Sequence, residues 1–253
     1  TSGGTGTLTM NRLIAGTNEG IGQTLNVTGA YNLQLAFANG ATIDGPGQLQ
    51  LITNNRVVTI SGAISGDGGL LKGGSLSNNT YNHLILDAPS TQASTYSGGT
   101  TLTAGYLSIR PSDNTATTTV NALGTGPITL SGGILELRSN SSRRWFDNDN
   151  NNILVDGNVV IELHQGTGTT ARTFTIGKST TEFVFGTGNP ILTVTGNGTA
   201  SHNLTIDGVA KLTGKVKINN GVIVEFNRGV TETAAGAQLV KIGAGILILD
   251  GTT

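Results

Sequence analysis

Cysteine is absent, and with it any disulfide staple or thiolate metal site. Charged residues make up only 11% of the chain, against roughly a quarter in ordinary globular domains. The formal net charge is −1, which gives no electrostatic case for a nucleic acid or an anionic membrane as partner. Aromatic residues are held to 4%. No run of apolar residues is long enough for a membrane-spanning helix. Nor does a signal peptide open the sequence, since Thr1 begins directly in a Gly/Thr-rich stretch; a mature product or a fragment is expected.

What fills the space is glycine, at 39 of 253 residues, together with threonine, asparagine and serine. Thr, Val and Ile favour a pleated, half-buried backbone. A hydrophobic fraction of 36% is thin for one compact core of this length but suits a long, narrow one.

An apolar–polar–apolar tripeptide recurs after short glycine turns. Its last member falls at Leu35, Ile60, Leu86, Ile109, Leu137, Leu163, Phe185, Ile206, Phe226 and Leu249, in steps of 20 to 28 residues. Repeats of that length mark solenoids and arrays. Tyr106-Leu107-Ser108-Ile109-Arg110 aligns with Ile134-Leu135-Glu136-Leu137-Arg138 and with Val160-Ile161-Glu162-Leu163-His164. A second alternating strand lies inside most periods, for example Leu49/Leu51, Ile128/Leu130 and Val216/Ile218. Alternation with period two turns one face inward and one outward.

One coil of about two dozen residues cannot bury its apolar face alone; stacked coils can. The expected fold is therefore all-β, a right-handed parallel β-helix (β-solenoid) of about ten or eleven coils at a spacing of about 4.8 Å. No linker divides residues 1–253, which predicts one solenoid segment. Longer loops are expected at Asn78–Ser94, Pro111–Thr119 and Ser139–Asn152, and a short turn or helix within Thr231–Leu239.

The run Thr95-Tyr96-Ser97-Gly98-Gly99-Thr100-Thr101-Leu102, continued by Asn121-Ala122-Leu123-Gly124-Thr125-Gly126-Pro127-Ile128-Thr129-Leu130-Ser131-Gly132-Gly133, resembles the autotransporter-associated β-strand repeat. Gly62-Ala63-Ile64-Ser65-Gly66-Asp67-Gly68-Gly69-Leu70-Leu71-Lys72-Gly73-Gly74 resembles the lead-in of that family, so the likeness covers about residues 60–140. The resemblance implies a passenger-type β-helix in large exported bacterial surface proteins. An extracellular or cell-surface place and a structural or adhesive role, such as a head-to-tail fibre, are the corresponding expectations. A carbohydrate-binding or polysaccharide-cleaving β-helix is the alternative.

The C-terminal stretch from Leu239 to Gly251 resembles the first half of the family motif, and Thr1 to Thr9 the second half. No polar cap is evident at either end. The expected partner is thus another coil, by self-association or continuation. The contact would run through Thr1, Ser2, Gly3, Gly4, Leu8, Leu239, Ile242, Ile246, Leu247 and Leu249.

No catalytic constellation, cofactor motif or metal-ligand spacing stands out. His83, His164 and His202 share no ligand spacing. The run Asp147–Asn152 lacks the spaced glycine and terminal glutamate of a helix–loop–helix calcium site. If the chain touches a glycan, Trp145, Asp147 and Asp149 are the candidates, in a loop that also reads as ordinary solvated chain. Glu136 and Glu162 fall at equivalent points of successive coils, with Arg138 and His164 beside them to screen the repulsion.

Overall fold

In a computed structural model, residues 6–16, 22–27, 33–54, 56–74, 82–197 and 202–251 are described. Their regular structure is entirely β, and every strand pairing is parallel. The chain winds as a parallel β-solenoid with three sides. The first sheet has ten strands, from Gly6–Met10 at one end to Gln238–Ile242 at the other. The second has nine, from Gln23–Asn26 to Val230–Glu232. The ten stacked strands of the first sheet are separated by nine turns, slightly fewer than the ten or eleven coils that the spacing predicts.

The third side is discontinuous. Three strands, Leu13–Gly16, Ala41–Asp44 and Ile64–Ser65, line it near the N-terminal end. Five more, from Arg143–Trp145 to Leu247–Leu249, resume it toward the C-terminal end. Between them the chain crosses this side in turns and loops. The expected loop Ser139–Asn152 therefore contains a strand. No helix occurs among the described residues, so Thr231–Leu239 carries none, and none is available to cross a membrane.

Ile109 pairs with Leu137, and Leu137 with Leu163, in direct register on the first sheet. All three side chains are fully buried. Each such burial contributes roughly 1.5–3 kcal/mol. The tripeptide series is a single row only from Ile60 to Leu163. Phe185 lies in the second sheet, and Ile206, Phe226 and Leu249 lie on the third side. All three sides share the same apolar–polar–apolar chemistry, so spacing alone cannot separate them.

The core changes character along its length. Aliphatic rows dominate the N-terminal part, while Trp145, Phe146, Phe174, Phe183, Phe185 and Phe226 fill the C-terminal part. Trp145 and Phe174 stack with centroids 6.1 Å apart. Phe146, at φ 58°, adopts a left-handed conformation that bulky residues avoid. That bend breaks the alternation and leaves two adjacent rings, Trp145 and Phe146, both buried.

Candidate functional site

Polar chemistry gathers on the outer face of the first sheet. Ser108, Glu136 and His83 alternate outward on neighbouring strands, yet each is at most 9% exposed. Arg110 reaches across one coil step and donates to Glu136 Oε2 at 2.6 Å. Ser108 donates to the same oxygen at 2.7 Å, and His164 Nδ1 lies 3.1 Å from Oε1. His83 Nδ1 is 3.0 Å from Ser108 Oγ, and its ring stacks on Tyr106 at 4.3 Å. With Glu162 and Asn197, whose Nδ2 donates to Glu162 Oε1 at 3.2 Å, these groups line a shallow hollow of about 170 Å³.

Burial alone would raise the Glu136 carboxyl. The His164 imidazole, the Arg110 charge and its hydrogen bonds, and the Ser108 hydroxyl outweigh it and hold the group down at about 2. An ionised carboxylate only accepts, so Ser108 must donate to it. The serine proton is thus committed to Glu136 and not to His83. This arrangement fixes a carboxylate in place; it does not activate a hydroxyl. Glu136 and Glu162 do face each other on adjacent strands as expected. The guanidinium that neutralises Glu136 comes from Arg110, one coil below, rather than from Arg138.

The Trp145 neighbourhood is placed differently from the expectation. Trp145 is fully buried and presents no ring face to a sugar. Asp147 and Asp149 are outside the core, where Asp147 lies 4.0 Å from Arg144 and Asp149 pairs with Lys178 at 2.6 Å. The indole fails as a platform because its strand, Arg143–Trp145, pairs with Thr173–Ile176 and turns the ring inward. Among the described residues no cluster of three or more His, Asp or Glu could hold a metal ion.

The two ends are the other unusual surface. Among the described residues the exposed large hydrophobic side chains are Leu8, Met10, Ile14, Ile242, Ile246, Ile248 and Leu249, all on the first or the last coil. Register separates their roles. Leu8 and Met10 pair with Leu35 and Phe37, both core residues, so they stand in the inward rows of the first described coil. Leu249 does the same opposite Phe226, whereas Ile242 and Ile248 pair with the outward Asn219 and Glu225. Leu239 and Leu247 are half-buried against the core. Thr1, Ser2, Gly3 and Gly4 lie outside the described residues.

The last coil also holds two charges that the alternation alone does not place. Glu232 continues the inward row of Leu212, and Lys241 that of Ile218. An inward charge on a terminal strand blunts unspecific edge pairing. The C-terminal end is therefore part apolar and part charged, while the inward positions Leu8, Met10, Leu13 and Ala15 make the N-terminal end apolar. Comparison with known protein families, with characterised proteins and with solved structures finds no match for this chain.

Proposed function

We propose that this chain is a structural module of an exported surface protein, a stiff β-solenoid rod covered at both ends by further coils. The observation that carries this reading is the confinement of exposed large apolar side chains to the first and last coils. An open solenoid end presents unpaired strand edges and an unfinished core, which a neighbouring coil would pair and bury. The three strands of the first coil and the three of the last lie on the same three sides. A head-to-tail contact between them generates a filament if it repeats without closing.

The low charge, the Thr/Asn-rich surface and the likeness to autotransporter-associated repeats at residues 60–140 support an extracellular bacterial setting. Glycan binding, the alternative, draws no support from Trp145, whose ring is buried. Electron microscopy of the native particle tests the proposal. A rod whose coils run on past both ends is expected. Isolated particles with both end coils bare to water would overturn it.

A further inference from the structure

One inward row of the second sheet runs Leu25, Leu51, Lys72, Leu102, Leu130, Val155, Phe185, Leu212. A lysine thus occupies a place that aliphatic or aromatic side chains hold in every neighbouring coil, and it is fully buried there. Among the described residues no carboxylate contacts its amine. Nζ approaches the Gly73 carbonyl, the Ala104 carbonyl at 3.5 Å and Asn82 Oδ1 at 3.5 Å. Burial lowers the Lys72 ammonium to about 8, so about a tenth of it is the neutral amine near pH 7.

Asn82 is the unusual neighbour. It is 1% exposed, and among the described residues its Nδ2 has no hydrogen-bond partner. Its Oδ1 accepts from the Thr53 hydroxyl at 2.6 Å, one coil below. The corner that holds the pair is kept clear by Gly105, at φ 75°. A Cβ there would stand 2.6 Å from Lys72 Nζ and 3.1 Å from Cγ and Nδ2 of Asn82. A buried amine, a polarised carboxamide and an unanchored leaving group therefore share one buried corner.

We propose that Lys72 and Asn82 form an intramolecular isopeptide bond. The neutral amine attacks Cγ of Asn82, and the Nζ–Cγ bond forms while Thr53 donates to the oxygen that gains charge. A proton passes from Nζ to Nδ2. The Cγ–Nδ2 bond breaks, its electron pair leaves with nitrogen, and one ammonia is released. No oxidant, reductant or water is consumed. The product replaces a buried cation and an unpaired amide with one neutral amide, and it closes a covalent ring through positions 72–82.

Intact-mass measurement of the folded protein, held for days at about pH 9 where the buried amine is mostly neutral, tests the proposal. The expected result is a mass below that of the sequence by one ammonia. Tryptic digestion should yield one looped peptide that contains both position 72 and position 82 and is short by one ammonia, with no cleavage after Lys72. Lys72→Met, which suits an aliphatic row, should keep the β-sheet circular dichroism of the parent and show the full sequence mass. A parent mass equal to that of the sequence overturns the proposal. So does loss of ammonia with Lys72 still cleavable, since that marks cyclisation of Asn82 on its own backbone.

Discussion

Arg110 and Glu136 meet at 2.6 Å across one coil step on the outer face of the first sheet, and the glutamate side chain is only 3% exposed. The pair welds two coils where the sheet would otherwise place two glutamates, Glu136 and Glu162, face to face. Neutralising the carboxylate as an amide removes the charge that the guanidinium and imidazole face and sets an NH2 donor against donors on one side. Glu136→Gln is expected to lower stability by about 1–3 kcal/mol, less than a wholly buried pair would, because Arg110 remains partly in solvent. Denaturant titration at neutral pH measures it. An unchanged midpoint would mean that the network contributes nothing.

The same carboxylate sets a pH dependence. Its folded value is about 2 against an unfolded value near 4.5. A depressed acid stabilises the fold fully above the unfolded value, and that contribution is lost as pH falls through the folded one. The difference in unfolding free energy between the parent and Glu136→Gln should therefore be constant above about pH 5 and shrink steadily toward pH 2. A difference that is flat through this window contradicts the assignment.

Asp207 joins three coils. It accepts from Arg144 at 2.7 Å, from Asn227 at 2.8 Å and from Arg228 at 3.3 Å. Asp207→Ala leaves two guanidinium groups without their carboxylate. An expected loss of about 1–3 kcal/mol should be accompanied by faster amide hydrogen exchange in Asn203–Ile206 and Ile223–Phe226, the strands flanking this corner. Unchanged exchange there would leave Asp207 a simple turn residue.

Particular residues show how far sequence carries. Ile109, Leu137 and Leu163 are legible because stacked coils must align apolar positions, and a repeated step near two dozen follows directly. Asp207 is legible as a corner, in Ile206-Asp207-Gly208, but not as a node, because its partners lie 20 to 63 residues away. Trp145 misleads: Arg143-Arg144-Trp145-Phe146-Asp147 is polar on average, strand pairing opposite Ile176 turns the indole inward, and the left-handed turn at Phe146 buries the next ring as well. Lys72 escapes notice for a related reason. Leu70-Leu71-Lys72-Gly73 offers no alternation to fix its side, and register alone puts Lys72 between Leu51 and Leu102.

The core itself offers a direct check. Leu137 is fully buried between Ile109 and Leu163. Leu137→Ala removes three carbons, Cγ and its two methyls, from a row whose backbone is clamped on both sides by strand pairing, so the coil cannot collapse around the void. A loss of about 2–5 kcal/mol is expected, read as a shift in the denaturant midpoint at unchanged slope. A change below about 1 kcal/mol would mean that neighbouring coils do not share one core.

The ends decide between a rod that joins and a rod that stands alone. Leu8 and Met10 occupy inward rows but remain 53% and 45% exposed. Covering them and Leu249, each already about half buried, would contribute about 1 kcal/mol per side chain, before the cost of association. The double change Leu8→Lys with Met10→Lys should abolish end-to-end assembly, since two charges would enter an apolar stack without partners. The fold itself should persist, because those side chains are exposed in the single rod. Sedimentation of parent and variant separates the cases: parent assemblies should survive high salt, which screens charge but not apolar contact, and the variant should sediment as one species. If the parent also sediments as one species at every concentration and salt, the end coils do not associate and the filament is excluded.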